Sequence, residues 1–304
     1  MRPHHPWDVH RLPRADDRTF LVTGANAGIG YFVAEQLAGT GATVLLGARS
    51  ATKAAQAMTA IRARVPDARL HHRHVDLSDP TTLTADGLDR LDAVVCNAGV
   101  LLSGPRRTTA AGHELTFATN HLGHFTLVAN LLPLLAAAPA GRVVTTGSFV
   151  AKSADLDLAD LHCARDYTPD GAYAKSKLAQ MLFGFELARR LEARGSTTIS
   201  VVDHPGGALD TLTPPRPPLP TAGPARRLTA RPAALVLQGK HAGAWPAVRA
   251  TLDPNTHNGD LWAPRAFGLR GTPVRHRVHP TLSDPTTATR LWEASAELTG
   301  TTPP

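Results

Sequence analysis

The amino-acid sequence predicts an α/β fold, a doubly wound parallel sheet with helices on both faces, built as a single domain. Three observations point there. Strand-like runs alternate with helix-like stretches through the first two-thirds of the chain. The strand-like runs are short and continuously apolar, which suits burial on both faces of a parallel sheet. The first of them opens into a helix through a turn holding Gly24, Gly28 and Gly30.

Taken in order, Thr19-Phe20-Leu21-Val22-Thr23 is a β-favouring run, and residues 29–38 read as a helix packing Phe32, Val33 and Leu37 inward. A second strand at 42–46 precedes a helical stretch over 51–65, which Pro66 closes. Strands follow at 70–75 and 92–96, then a long helix over 112–135 and a fifth strand at 142–146. A helix over 171–194 leads into a sixth strand at 198–202. Beyond Gly207 the alternation stops, because seven prolines between 213 and 232 predict an irregular or extended segment. The tail resumes with an apolar piece at Leu261-Trp262 and a last helix over 285–298, with no internal repeat.

Composition narrows the classes. At 304 residues the chain can bury a large core, and 42% hydrophobic with 19% charged residues is the balance of a soluble globular domain. No apolar run approaches the ~20 residues of a membrane span. Residues 1–18 lack the apolar stretch of an export signal, so a cytoplasmic protein is expected. Two cysteines, Cys96 and Cys163, are too few for a disulfide framework, a zinc ribbon or an iron–sulfur cluster. The net charge of +7 comes from arginines scattered along the chain, not from a basic run interleaved with aromatics, so nucleic acid is not an expected partner. His71-His72-Arg73-His74 falls on a predicted strand, where neighbouring side chains point to opposite faces, and no metal site is expected from it.

Four short motifs carry chemistry. Glycines between the first strand and the first helix let the backbone turn tightly and approach a pyrophosphate at the helix N-terminus. Arg49 follows the second strand, where a dinucleotide's adenosine ribose lies in this architecture, and no Asp or Glu occurs from 38 to 66. Arginine accepts a 2′-phosphate, so NADP(H) is expected over NAD(H). Lys53 is a candidate assistant. Tyr173 and Lys177 stand at i and i+4 on one predicted helix, so an ammonium lies near a phenol whose ordinary pKa of about 10 is too high for acid/base work at neutral pH. Ser148 comes just past the fifth strand, at the sheet edge where parallel folds place ligands, with a hydroxyl able to donate to a substrate oxygen.

Together these pieces resemble the short-chain dehydrogenase/reductase family, from about Trp7 to the C-terminus, and so imply a Rossmann-type fold. The glycine turn, with Gly24, Asn26, Gly28, Ile29 and Gly30, is similar to that family's TGxxxGxG. Asn97-Ala98-Gly99 resembles its NAG motif, Asp76-Leu77 the acidic pair near adenine, and Pro205-Gly206 the PG motif after the sixth strand. The family's active-site tetrad corresponds here to Asn120, Ser148, Tyr173 and Lys177. Asn26, Arg49 and the run 119–125 are most similar to the subgroup of retinol dehydrogenases and bacterial reductases, which commonly uses NADP(H).

The resemblance implies that Ser148 polarises a carbonyl and Tyr173 protonates its oxygen as hydride arrives. It implies too that Lys177 lowers the phenol pKa and binds the nicotinamide ribose, and that Asn120 positions a relay water. Departures are Cys96 before the NAG motif, Gly207-Ala208 after the PG pair, and the Pro-rich stretch at the position of the family's substrate loop.

The expected organisation is a cofactor-binding and catalytic core over 19–208, a substrate loop or lid over 209–257, and a C-terminal strand and helix over 258–304. Trp245 and Trp262 are expected to pack the substrate lobe. His121 and His124, beside Asn120, are expected to serve ordinary packing in preference to lining the substrate entrance. The expected activity is reduction of a ketone or aldehyde of a small, fairly apolar molecule, or oxidation of the alcohol. A non-redox or net-neutral step such as epimerisation or dehydration is the alternative, and an NADP(H)-binding sensor a more distant one. A homo-oligomer is compatible with the sequence, which does not specify it.

Overall fold

The computed structural model describes residues 7–303. Residues 1–6, part of the stretch read above for an export signal, lie outside the described residues. The chain begins with β1 (Thr19–Thr23), α1 (Gly28–Ala38), β2 (Thr43–Ala48), α2 (Ala51–Arg62), β3 (Arg69–His74) and β4 (Ala93–Cys96). A single turn, α3 (Leu115–Phe117), runs through a wider π turn (Ala118–Leu122) into α4 (Gly123–Ala137). β5 (Arg142–Thr146), the 25-residue α5 (Pro169–Ala193) and β6 (Ile199–Asp203) complete the repeating part. The remainder holds β7 (Ala208–Leu209), α6 (Pro224–Thr229), β8 (Gln238–Gly239), α7 (Lys240–Gly243), α8 (Trp245–Leu252), β9 (Leu261–Ala266), β10 (Arg270–His276) and α9 (Pro285–Thr299).

Eight strands form one sheet in the order β10-β9-β6-β5-β4-β1-β2-β3, parallel throughout except for the antiparallel pairing of β10 on β9. Strand order reverses at β1, which lies between β4 and β2, and a crevice opens there at the carboxyl ends. Alternate residues of one strand enter different cores, as the two-residue period of a strand requires. Phe20 and Val22 pack with Leu37, Ile61 and Val248 on the face covered by α1, α2 and α8, whereas Leu21 packs with Phe125, Leu131 and Phe183 on the face covered by α4 and α5.

Helix ends follow local chemistry. The Thr168 hydroxyl caps α5 by accepting from the Gly171 amide at 3.1 Å, and Pro169 occupies the first turn, which starts the helix two residues before the predicted 171. Asp284 caps α9 in the same way through the Thr287 amide at 2.8 Å.

The structure corrects four expectations. The helix predicted over 112–135 begins only at Leu115 and is interrupted by the π turn; Gly112, at φ +84°, sits in a tight loop before it. Within the Pro-rich segment, α6 forms where Pro224 sits in the first turn, a position that tolerates its missing N–H. The tail contains two strands where one was expected, and α7 and α8 precede them. Trp262 packs in the main core beneath the sheet, with the Arg249 guanidinium 4.1 Å over its ring, and not in a substrate lobe.

Candidate active site

The crevice is a cavity of about 570 Å³ that runs across the carboxyl edge from β3 to β6. Its floor at one end is the turn between β1 and α1. Gly24 and Gly28 adopt φ of +68° and +61°, the left-handed region that a side chain disfavours. Gly30 is needed for a different reason: a Cβ there would stand 2.4 Å from Asn97 Nδ2 and 2.6 Å from the Gly24 carbonyl. Asn97 Nδ2 in turn donates to the Thr23 carbonyl at 3.0 Å, so the NAG segment and the glycine turn are tied together. Ala27 occupies the cap position of α1 and offers no side-chain cap. The first-turn amides of this 11-residue helix therefore face the crevice side with no side-chain partner, the arrangement that receives a phosphate.

Further along, exposed Arg49 lines the cavity after β2, Asp76 and Leu77 after β3, and Asn97, Ala98 and Gly99 after β4. The cavity ends against Ser148, Tyr173, Lys177 and Pro205. Its length, its glycine cradle and the uncapped helix suit an extended dinucleotide. The structure thus brings most of the sequence-predicted residues to one wall-to-wall space, Asn26 and Ile29 included. Gly30, Asn120 and Gly206 lie behind it. Gly206, at φ +70°, leaves room for the Leu269 carbonyl, which would meet a Cβ at 2.4 Å.

At the far end of the cavity, Ser148 follows β5 and faces α5, which carries Tyr173 and Lys177 one turn apart. Burial raises the Tyr173 phenol above its ordinary pKa, and the Ser148 hydroxyl beside it pulls the other way. The Lys177 ammonium lies 5.9 Å from the centre of the Tyr173 ring. It is buried and donates to the Thr146 carbonyl at 3.2 Å and to Gln180 Oε1 at 2.7 Å. Burial lowers its pKa to about 8, with the Asp203 carboxylate opposing. Gly99 packs closely against this ammonium, since a Cβ there would sit 3.2 Å from Nζ and the lysine tip would have to give.

Asn120 stands within the π turn, a distortion that recurs at functional sites. Its side-chain Oδ1 accepts from the Val100 amide at 2.7 Å, and Nδ2 donates to the Val100 carbonyl at 3.0 Å and to Ser176 Oγ at 2.9 Å. Ser176 Oγ donates in turn to the Tyr173 carbonyl at 2.7 Å. The Asn120 carbonyl meets His124 Nδ1 at 2.8 Å. Asn120 therefore ties the π turn to the loop after β4 and to α5.

Behind the lysine lies a buried polar chain that motif reading missed. The Thr23 hydroxyl accepts from the Asn97 and Ala98 amides, both at 3.0 Å, which leaves its proton for His124 Nε2 at 2.9 Å. The tautomer with Nε2 as acceptor and Nδ1–H donating to the Asn120 carbonyl suits both Thr23 and Asn120. Burial agrees, lowering the His124 pKa to about 4. Gln180 Nε2 lies 3.2 Å from His124 Nδ1 while its Oε1 holds Lys177. Beyond Thr146, whose hydroxyl donates to Asp203 Oδ1 at 2.9 Å, Asp203 is buried and its pKa is raised to about 7 by that burial. His121 is also buried, against Ser295 at 2.7 Å, so neither histidine lines the entrance. Gln180 had one available signal, its i+3 spacing from Lys177.

This edge, with a Tyr and Lys on one helix, a Ser facing them and a glycine cradle across the sheet, defines a class of hydride-transferring enzymes. Residues 18–213 match the family model described as short chain dehydrogenase. A polyprenol dehydrogenase of Mus musculus is 35% identical over 95% of this chain and 86% of its own length. Retinol dehydrogenases 12 and 13 of Homo sapiens are 37% and 36% identical, and the match spans 61% and 60% of their lengths.

Among solved structures, an uncharacterized protein from Mycobacterium Paratuberculosis has a TM-score of 0.79 at 32% identity, covering 98% of this chain and 99% of that one. A short chain dehydrogenase from Burkholderia cenocepacia J2315 in complex with NADP has a TM-score of 0.60 at 25% identity, covering 81% and 95%. The chain belongs to the short chain dehydrogenase family of oxidoreductases, within its retinol dehydrogenase-like subgroup. Among the described residues no helix is long and apolar enough to cross a membrane.

Proposed function

We propose that the protein is an NADP(H)-dependent oxidoreductase that reduces a ketone or aldehyde of a fairly apolar molecule, or oxidises the corresponding alcohol. The observation that carries this reading is the convergence of Ser148, Tyr173 and Lys177 on the far end of the same cavity that the glycine turn opens. NADP(H), when bound, supplies or accepts the hydride. Gly24, Gly28 and the α1 amides would hold its diphosphate, Arg49 its 2′-phosphate, and Lys177 its nicotinamide ribose.

In the reductive direction Ser148 donates a hydrogen bond to the carbonyl oxygen and so favours negative charge there. The Tyr173 phenol delivers its proton to that oxygen; burial raises the phenol pKa, the Ser148 hydroxyl opposes that rise, and the Lys177 ammonium 5.9 Å from the ring centre favours the phenolate left behind. Oxidation runs the same transfers backward. Asn120, through Val100 and Ser176, keeps the catalytic helix and the NAG loop in register.

Two observations support an apolar substrate. Leu101, Phe149 and Val150, adjoining the cavity residues Val100 and Ser148, are exposed large hydrophobics. The relatives named above are named for a polyprenol and for retinol, both apolar alcohols.

The test is a fluorescence titration with NADPH and NADH followed by a carbonyl panel monitored for NADPH oxidation. Tyr173→Phe is expected to lower turnover by about 10²–10⁴-fold with cofactor affinity unchanged. Arg49→Ala is expected to weaken NADPH and spare NADH. Tighter binding of NADH by the unmodified protein would overturn the cofactor preference, and full activity in the Phe variant would overturn the mechanism.

A further inference from the structure

We propose that Lys240 is a ligand of the cofactor diphosphate, and that Asp210 competes with the diphosphate for it. This rests on the dinucleotide reading above and adds a residue that no motif contains. Lys240 opens α7, more than 200 residues after the glycine turn, yet its Nζ comes within 4.0 Å of where a Cβ on Gly28 would stand. It is part of the wall of the cofactor cavity, and also of a second cavity of about 540 Å³ that meets the first at Asn26, Ala27 and Gly28. The lysine therefore stands over the first residue of α1, whose cap position lacks a side-chain partner.

The backbone that carries Lys240 is held from three sides. Its amide donates to Thr213 Oγ1 at 2.9 Å, and β8, ending at Gly239, pairs with β7. The next carbonyl, that of His241, accepts from Gln36 Nε2 on α1 at 2.8 Å. Gly239 has no room for a side chain, since a Cβ would meet the Leu212 carbonyl at 2.4 Å. With the main chain fixed, the freedom left to Lys240 is that of its own side chain.

Nζ now pairs with Asp210 Oδ1 at 2.5 Å. The two side chains are unequal: that of Lys240 is 25% exposed, that of Asp210 71%. An ion pair with one partner largely in water is weak and is readily exchanged. A diphosphate on the α1 amides would carry two negative charges beneath the lysine, in a more enclosed place than the Asp210 carboxylate. Binding then swaps one anionic partner for another, and frees Asp210, which lies on the segment between β7 and Thr213.

The probes are NADPH and NADH, titrated by fluorescence against the full chain and three variants, with no substrate required. Lys240→Met is expected to weaken both dinucleotides alike, by about tenfold, because the diphosphate is common to them. Lys240→Arg retains most of the affinity. Asp210→Asn is expected to tighten both severalfold by removing the competitor, a gain that misfolding cannot produce. Wild-type affinity for both dinucleotides in Lys240→Met overturns the inference, as does a loss confined to NADPH, which would assign the lysine to the 2′-phosphate. If the unmodified protein binds neither dinucleotide, the cofactor reading falls as well; if it binds and the Lys240 and Asp210 variants match it, this inference alone falls.

Discussion

Gly30 shows how much a single side chain can decide at this site. It lines no part of the cavity, yet its missing Cβ lets the Asn97 amide reach Thr23 and lets the turn fold back on Gly24. Gly30→Ala would force an atom to within 2.4 Å of Asn97 Nδ2 and 2.6 Å of a backbone oxygen, neither of which can withdraw without breaking the tie between β1 and β4. The expected cost is about 1–3 kcal/mol of stability, the range for overpacking, with weakened dinucleotide binding. Denaturant unfolding and a dinucleotide titration check both, and an unchanged midpoint with unchanged binding would remove the argument. The glycines were legible in sequence because their spacing is local. Gln180, His124 and Asp203 were not, because their importance comes from whom they meet: Lys177 on the same helix, Thr23 on β1 and Thr146 on β5.

At the scale of elements, the strands and helices up to β6 follow the predicted order closely, because continuous apolar runs and 3.6-residue periodicity are properties of the segment itself. β10 escaped this reading. Its sequence, Arg-Gly-Thr-Pro-Val-Arg-His, is charged and holds a proline, as befits an edge strand that discourages further pairing. α8 escaped as well, and its seating depends on a distant residue. Arg142, at the start of β5, is buried and donates through Nη1 to the carbonyls of Ala250 and Asp253 at 2.8 and 3.0 Å, where α8 ends. Burial lowers this guanidinium's pKa to about 10, a sign of how completely water is excluded. Arg142→Met would leave those C-terminal carbonyls without their donor, at an expected cost of about 1–3 kcal/mol. A thermal or urea unfolding curve matching the unmodified protein would contradict it.

For the molecule as a whole, buried histidines set the response to acid. Burial lowers the pKa of His121 to about 3 and of His124 and His204 to about 4, and lowers His162 and His241 in the same sense. Unfolded, each takes up a proton near pH 6.5, so the stability they contribute is complete above that value and is lost as the pH falls towards 4. Asp203 acts oppositely: with its pKa raised to about 7, its contribution is full below the unfolded value near 4 and is lost as the pH rises through 7. Between pH 6 and 4 the three strongly shifted histidines against one carboxyl leave a net uptake of about two protons on unfolding, or about 3 kcal/mol lost per pH unit. The melting temperature is therefore expected to fall from pH 7 to pH 5, and a flat or rising profile would show that these groups are solvated.

The sequence by itself determined the fold class and the chain order of the first six strands, and it singled out the glycine turn and the residues Ser148, Tyr173 and Lys177 that line one cavity, since each is written in local spacing and periodicity. Tertiary structure alone decided the place of Trp262 in the main core, the polar chain behind Lys177 and the approach of Lys240 to Gly28. The physical reason is that these depend on chain closure. Segments hundreds of residues apart meet because parallel strands need crossovers, and no local pattern records which side chains that closure will bring within hydrogen-bonding distance.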